Sequence, residues 1–460
     1  MKPEAPSPSF RESLIIPLWG LTVLLVVMNT TMFNVALPSV AHDLGLTTTA
    51  ASWIVTGYSI LFAISSITYS RLTDFVPIRT LLMIGLVLLG IASVIGLLSH
   101  NFYGVLAARL LQAIGAASAP GLGIVLVTRY IPLERRGKSM SVIISAASFG
   151  FGLGPIVGGA MTQYFSWNSL FVVTALVLLT IPVFYRNLPE QPYTRIQFDG
   201  WGALFIGVGV TGLLLFLTLH PWWALVLGLL SLAAFWFRIH RVDQPFLQPS
   251  LLRNRPYMNL TVMGFVAYVL HFATLFLMPL VIIRLYGQSS AVTGFLIFPG
   301  AILTALLSPR IGRWIDRLGN SPVILAGHAT LLAAALVFAL LSTQYLYAIT
   351  AAYMLMSVSV SAIGSSVSNE MSRILAKHEI GGGMGMAQLT QFFGGALGVA
   401  LTGASLVWQA SAPLHGAYRN IFWVMAAVAA VSLLVSVSYV RASRRTAPLP
   451  AAVEEAANAG

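Results

Sequence analysis

Arg109 and Gln112 stand three residues apart inside an apolar stretch, so on a helix they share one face. A guanidinium there is costly unless it meets a polar cavity or a partner. Its chemistry is that of a hydrogen-bonding hub, or of contact with a substrate or a moving proton. His271 lies in the middle of another apolar stretch. Imidazole is the side chain whose ordinary titration falls between pH 5 and 8. His271 therefore reads as a proton acceptor, or as packing satisfied by a hydrogen bond. Glu370 follows the serine-rich run 357–368, a turn or so from a helix end, where it is either solvated or turned into a vestibule. Asn29, Thr30 and Asn34 make a polar patch early in the chain, and Gln388 and Gln391 make another late in it. Such residues either line a cavity or bond neighbouring helices to one another.

The absent chemistry narrows the reading. There is no cysteine, hence no disulfide framework and no thiolate metal site. No H-E-x-x-H or H-x-x-x-x-D run exists, and no G-x-x-x-x-G-K-[ST] segment. The residues point to neither an enzyme nor ATP drive by this chain, and they call for no metal or cofactor. Of the 13 Asp and Glu, none falls in the middle of an apolar run.

These residues need elements that carry polar groups through an apolar solvent. The chain has 460 residues, 57% hydrophobic and 8% charged, with a mean hydropathy of +0.86. Soluble domains carry roughly 25% charged residues, so this surface is made for lipid. Apolar runs lie at 14–37, 50–69, 81–98, 103–126, 140–163, 170–184, 201–219, 222–237, 260–283, 293–307, 323–341, 345–367, 384–407 and 421–440. Each span needs about 20 residues, so fourteen use roughly 280 and leave no room for a soluble catalytic domain. The first run is too long for the core of a signal peptide.

The net charge of +12 would suggest nucleic acid if it were clustered. Instead, with the N-terminus in the cytoplasm, all 25 Lys and Arg except Arg109, Arg284 and Arg419 fall in inner loops and tails. That bias places both termini in the cytoplasm and leaves no nucleic-acid role.

The sequence also repeats itself approximately. Ser70-Arg-Leu-Thr-Asp74, continuing to Arg79, follows the second run, and Gly312-Arg-Trp-Ile-Asp316-Arg317-Leu-Gly319 follows the tenth. Asp74 lies 60 residues beyond Leu14, and Asp316 lies 56 beyond Leu260. The glycines of 150–159 follow Asp74 about as Gly394 and Gly395 follow Asp316. Paired halves around a central cavity are a transporter architecture. The expected organisation is a tail at 1–13, a six-helix half at 14–186, two inserted helices at 187–238, a linker at 239–257, a second half at 258–440 and a disordered tail at 441–460. Ala146, Gly150, Gly154 and Gly158 recur every fourth residue, a stripe that permits close helix approach.

These residues resemble the major facilitator superfamily, particularly its fourteen-span drug:proton antiporter branch with the Gram-positive tetracycline and multidrug exporters. The resemblance covers nearly the whole chain and rests on five motifs in order. Asn34-Val-Ala-Leu-Pro38 closes span one; Asp74 with Arg79 fits the loop motif, although Ser70 and Pro77 replace glycines; Arg109-Leu-Leu-Gln112-Ala-Ile-Gly115 lies in span four. Gly150-Phe-Gly-Leu-Gly154-Pro155-Ile-Val-Gly158-Gly159 is similar to the antiporter motif, and Phe198-Asp199 opens span seven. The second loop copy, Gly312, Asp316, Arg317 and Gly319, lacks the closing basic pair.

The resemblance implies an all-α polytopic membrane protein of fourteen transmembrane helices, with two six-helix halves rocking on a helix bent at Pro155. It implies that the Asp74 and Asp316 loops latch the outward-open state. It implies a monomeric exporter in a bacterial cell membrane, moving a small amphipathic molecule against proton entry. The cavity would be contacted by spans one, four, nine and thirteen, with Trp, Tyr and Phe supplying apolar contact. Multidrug members of the branch usually place an acid in span one, where this chain has Met28-Asn29-Thr30-Thr31. With Arg109 in the interior and no acid, the expected cavity field is neutral to positive. The alternative is therefore a dedicated exporter of an anionic or zwitterionic metabolite, such as a metal chelator of the siderophore type. Arg109, His271 and Glu370 are the candidates for proton coupling.

Overall fold

An apolar solvent offers no partner to an open N–H or C=O, so runs of this length are stable as helices that bond their own backbone. The computed structural model describes residues 11–46, 48–73, 76–189, 199–219, 221–242, 245–376 and 379–446, and among them the regular structure is helical, without strands. An N-terminal bundle comprises α1 (Glu12–Asp43), α2 (Thr48–Leu72), α3 (Ile78–Leu98), α4 (Phe102–Ala116), α5 (Ser118–Tyr130), α6 (Leu133–Tyr164), α7 (Ser169–Ala175), a 3-10 turn (Leu176–Thr180) and α8 (Ile181–Asn187). Next come α9 (Gly200–Leu219), α10 (Trp222–Ile239) and the short α11 (Pro249–Arg253). A C-terminal bundle holds α12 (Arg255–Arg284), α13 (Ser290–Leu318), α14 (Asn320–Leu341), α15 (Leu346–Ile374), α16 (Ile380–Trp408) and α17 (Leu414–Thr446). Among the described residues, thirteen helical stretches are long and apolar enough to cross a membrane, and α2 carries a shorter one, Trp53–Ser66. The chain is a multi-pass, all-α membrane protein.

Three runs differ from their sequence outline for local reasons. The run 103–126 divides at Ala117, where Ser118 Oγ donates to the Gly115 carbonyl at 2.8 Å. That tightening sits where α3 and α4 nearly touch: a Cβ on Gly115 would lie 2.5 Å from the Gly85 carbonyl oxygen. The run 170–184 passes through the 3-10 turn because Pro182, in the first turn of α8, has no N–H for an α-helical bond. The run 293–307 is the middle of α13, capped by Ser289 Oγ and prolonged past Arg310 and Arg313. Hydropathy stops at those cations, but the helix does not.

Lipid supplies no hydrophobic drive between helices, so close contact and buried polar bonds must hold them. The stripe Gly150, Gly154, Gly158 faces α1, within its own bundle. A Cβ there would lie 2.7 Å from the Leu24 carbonyl oxygen at Gly150, against Thr31 Oγ1 and 2.9 Å from the Met28 carbonyl oxygen at Gly154, and 2.7 Å from the Met32 carbonyl oxygen at Gly158. The other face of α6 meets α13, where Gly152 packs on Ala301 and Gly294 on Ile156. The stripe thus gives the close helix approach within one bundle, and residues two positions off it meet the other bundle. Pro155 is buried on α6, which continues through it. In the C-terminal bundle Gly394, Gly395 and Gly398 of α16 lie against Phe265, Phe272 and Val269 of α12, so the same device recurs.

Helices α9 and α10 pack on each other through glycines; a Cβ on Gly212 would lie 2.6 Å from the Ala224 carbonyl oxygen. Their outer faces present large apolar side chains such as Leu204, Leu230 and Phe237 to the lipid. Their inner face covers the junction of α2 and α16, where Val210 and Leu214 cluster with Ile60 and Ala396. Asp199 pins the pair: its carboxylate accepts from Arg238 Nε at 2.5 Å, from the Gly202 amide at 2.9 Å and from the Phe246 amide at 3.1 Å. Burial works to raise its pKa, but Arg238 and the two amides outweigh it and hold the carboxyl below its usual range. Phe198 and Asp74 lie outside the described residues.

Two outcomes test this packing. Asp199→Asn should lower the melting temperature in detergent at pH 7 by several degrees. An ionised carboxylate with a depressed pKa stabilises above its unfolded value of about 3.9 and loses that effect as pH falls through the folded value. The difference between Asp199→Asn and wild type should therefore narrow in acid. Gly154→Val should cost about 1–3 kcal/mol by overpacking, seen as lost monodisperse protein on size exclusion. Gly312→Ala meets nothing within 4 Å and should leave the elution unchanged.

Candidate functional site

Between the two bundles lies a cavity of about 1170 Å³. Its walls come from α1 (Val27, Thr30), α2 (Tyr58, Ser59, Phe62), α5, α6 (Phe151), α12 (Tyr268, His271, Phe272), α13, α15 (Tyr353, Ser357) and α16 (Gln388, Gln391, Phe392). It extends to the end of the molecule where Arg129, Arg136, Asp316 and Arg373 lie. Towards the opposite end the bundles touch where Ile156 and Gly152 of α6 pack on Gly294 and Ala301 of α13. Midway along the helices Phe62 meets Phe392 with ring centroids 4.7 Å apart, and Phe151 meets Phe272 at 5.7 Å. Ser66 Oγ adds a cross-bundle bond to Gln388 Oε1 at 2.8 Å. Spans one, four, nine and thirteen contribute, the fourth through α5, and the aromatic residues among the described lining are Tyr, Phe and His271, without Trp.

Arg109 does not line this cavity. It is fully buried inside the N-terminal bundle, with its guanidinium carbon 4.0 Å from the ring centroids of both Phe33 and Tyr58. Nη1 donates to Asn29 Oδ1 at 3.0 Å and to Gln112 Oε1 at 2.9 Å, and Nε reaches the Ile54 carbonyl at 3.5 Å. Thr174 Oγ1 also donates to Asn29 Oδ1, at 3.1 Å, and Gln112 Nε2 donates to Ser93 Oγ at 2.9 Å. Arg109 on α4 touches α1 and α2 directly, and through Gln112 and Asn29 the network extends to α3 and α7. No described carboxylate lies within ion-pair distance of it. Two desolvated ring faces, each worth up to about 2 kcal/mol, offset part of the cost of burying the charge. Nη2 of Arg109 and Nδ2 of Asn29 stay buried without a partner. Asn29 and Gln112 therefore belong to this hub and not to the cavity wall. Asn34, one turn on from Thr30, is exposed and also outside the cavity.

Thr30, His271, Gln388 and Gln391 do line the cavity. Thr30 Oγ1 donates to Tyr58 Oη at 3.4 Å, so it touches the ring that covers Arg109. His271 is 5% exposed, lies nearly parallel to Tyr353 at 6.2 Å and receives the edge contacts of Phe151 and Phe272. Its Nδ1 has no bonding partner. Gln391 fits over Gly264, where a Cβ would lie 2.8 Å from its Nε2.

Glu370 is neither solvated nor in the vestibule. Its carboxylate accepts from Asn320 Nδ2, from Tyr439 Oη at 3.3 Å and from Arg373 Nη1 at 3.4 Å, which joins α14, α15 and α17. Asn320 follows Gly319, whose φ of +82° with ψ of 173° needs glycine. Glu370 thus anchors the loop that carries Asp316 and Arg317, both exposed. In the first copy Arg79 lies 4.0 Å over the Tyr185 ring.

The aromatic wall is what sequence reasoning did not place. Its signal is two ring pairs at i, i+4, Tyr58/Phe62 and Tyr268/Phe272, which in any apolar helix read as ordinary packing.

A family model described as Major Facilitator Superfamily matches residues 19–399 and 260–459. The chain is 28% identical to the puromycin resistance protein pur8 of Streptomyces alboniger, over 86% of this chain and 84% of that one. It is also 28% identical to the cephamycin export protein CmcT of Amycolatopsis lactamdurans, over 82% and 81%. Among solved structures, the human organic anion transporter MFSD10 (TETRAN) shares the fold with a TM-score of 0.67 at 15% identity, covering 93% of this chain and 99% of that one. Two helical bundles around a shared cavity and a family match from end to end agree: the chain belongs to the Major Facilitator Superfamily of membrane transporters.

Proposed function

We propose that this protein exports a small amphipathic molecule from a bacterial cell by alternating access, driven by proton entry. The carrying observation is the cavity between the bundles, closed towards one end where α6 packs on α13 and reaching the charged ends of α5, α6, α13 and α15 at the other. The positive-inside bias makes that charged end cytoplasmic, with both termini on the same side, and the contact of α6 with α13 beyond the rings is the closed outer gate. Export as the direction draws on the likeness to CmcT, a cephamycin export protein, and to pur8, a puromycin resistance protein. The two six-helix halves rock against each other where α6 meets α13, and the loops bearing Asp74, Arg79, Gly312, Asp316 and Arg317 act at the inner face. The protein works as a monomer.

The proton acceptor under this reading is His271. It lies in the wall beside the ring contacts, its Nδ1 is buried without a partner, and imidazole is a side chain able to take up and release a proton. Glu370 and Arg109 hold their own bundles in shape. A second reading, export of one anionic or zwitterionic metabolite, is favoured by Arg109. Its charge has no acid among its described partners behind Tyr58, and Asp316 is the one acid among the described residues of the cavity lining.

In proteoliposomes with an imposed pH gradient, puromycin, tetracycline or a cephamycin should accumulate at a rate that follows the gradient. His271→Asn should lose that dependence while still exchanging labelled for unlabelled compound. Uptake indifferent to the gradient in wild type removes proton antiport. Asn29→Asp should place a carboxylate where Asn29 Oδ1 now lies 3.0 Å from Arg109 Nη1. It should shift preference from anions towards cations by about tenfold, since about 1.4 kcal/mol corresponds to that factor. An unchanged preference defeats the argument from charge.

A further inference from the structure

Six rings in the cavity wall form one connected set. Tyr58 and Phe62 of α2 stack at 5.9 Å with planes 22° apart, and Tyr268 and Phe272 of α12 do the same at 6.1 Å and 23°. Phe392 of α16 joins the pairs, with its centroid 4.7 Å from Phe62 and 5.9 Å from Tyr268. Phe151 of α6 closes the set edge-on against Phe272. Two of these contacts, Phe62 to Phe392 and Phe151 to Phe272, run between bundles. Phe151, Tyr268, Phe272 and Phe392 are partly exposed and offer apolar faces to the cavity, Tyr58 and Phe62 back them, and the set holds the bundles together midway along the helices.

Polar atoms are set among these faces. Gln388 lies one helical turn before Phe392, Gln391 is its neighbour, and His271 precedes Phe272 with Nδ1 buried and unpartnered. Such a wall suits a ligand with two flat faces and a rim of donors and acceptors. Charge limits it further. The Arg109 guanidinium already occupies one face of the Tyr58 ring at 4.0 Å, so a cation brought against that ring would meet a like charge in a dry setting.

We propose that this aromatic set is the binding site for a flat, fused heteroaromatic ring system, uncharged or anionic, and that its entry displaces the ring contacts between the bundles. The proposal rests on the transport reading for its purpose but not for its test. Occupation of the set by ligand lets the halves part at the level of the rings: ligand faces replace the cross-bundle ring faces, so these are not left bare.

Lumichrome, a neutral fluorescent alloxazine, is the probe, titrated with purified protein in detergent without any gradient. Wild type should quench its fluorescence saturably. Phe392→Leu keeps apolar bulk but removes the ring, and should weaken binding about tenfold, within the range measured for stacking on an aromatic side chain. Phe392→Trp should stay within about threefold of wild type, because it restores a ring face. Phe62→Leu, on the other side of the same contact, gives the same readout if Phe392→Leu does not yield folded protein. Proflavine, a cationic three-ring compound of similar size, should bind at least about tenfold more weakly than lumichrome, through repulsion by Arg109. Absence of saturable quenching by wild type, unchanged binding in both leucine variants, or proflavine binding as tightly as lumichrome would overturn the proposal. Binding here needs no turnover, so its failure leaves proton-driven export standing. Lumichrome binding without gradient-driven uptake in vesicles would fault the export reading instead.

Discussion

Helices surrounded by lipid gain nothing by turning apolar faces towards each other, so their arrangement depends on how closely their backbones can approach. In this protein that constraint is met by glycine. Gly150, Gly154 and Gly158 bring α6 onto the carbonyl oxygens of α1, and Gly394 and Gly398 bring α16 onto α12. Each contact sets the rotation of a helix about its own axis, and so decides which side chains reach the cavity. Once α6 is turned by its contact with α1, Gly152 and Ile156 fall against α13 and Phe151 falls into the cavity wall. One packing contact thus fixes the seam between the bundles and part of the binding surface together.

The second organising element is a charge without a counter-charge. Arg109 joins α1, α2 and α4 through neutral acceptors and two ring faces, its partners Gln112 and Asn29 extend the network to α3 and α7, and none of its described partners is an acid. An acid at position 29 would neutralise it; asparagine does not. The hub therefore does two things, one mechanical and one electrostatic. It ties the N-terminal bundle together, and it leaves a positive field behind the Tyr58 ring. The C-terminal bundle solves the corresponding problem differently: Glu370 is buried with Arg373, Asn320 and Tyr439, so charge is balanced near the helix ends. The asymmetry between the bundles lies in their charges more than in their helices.

The inserted pair α9 and α10 shows how an added element is held in lipid. It seals the α2–α16 junction with Val210 and Leu214, and a single buried carboxylate, Asp199, joins the start of α9, the end of α10 and the following chain. With that junction covered and α6 pressed on α13, the cavity's polar path runs to the charged end.

Much of this was legible in the residues themselves. The shortage of charge determined the solvent, the lengths of the apolar runs determined the helices, and the repeated loop and the span motifs pointed to the family. The small-residue stripe was visible at i, i+4, as was the pairing of Arg109 with Gln112. Which way each face turns was not. Neighbouring residues on a helix point about 100° apart, so Asn29 faces the Arg109 hub while Thr30 faces the cavity. Glu370 likewise turns from the vestibule into its own bundle. The rings Phe62, Tyr268, Phe272 and Phe392 looked like ordinary core because an apolar helix and an aromatic binding wall have the same composition. The sequence alone determined that the chain spans the membrane and where its few polar groups lie along each helix. Only the tertiary structure decided which of them face the cavity, because helix rotation is set by contacts between residues hundreds of positions apart.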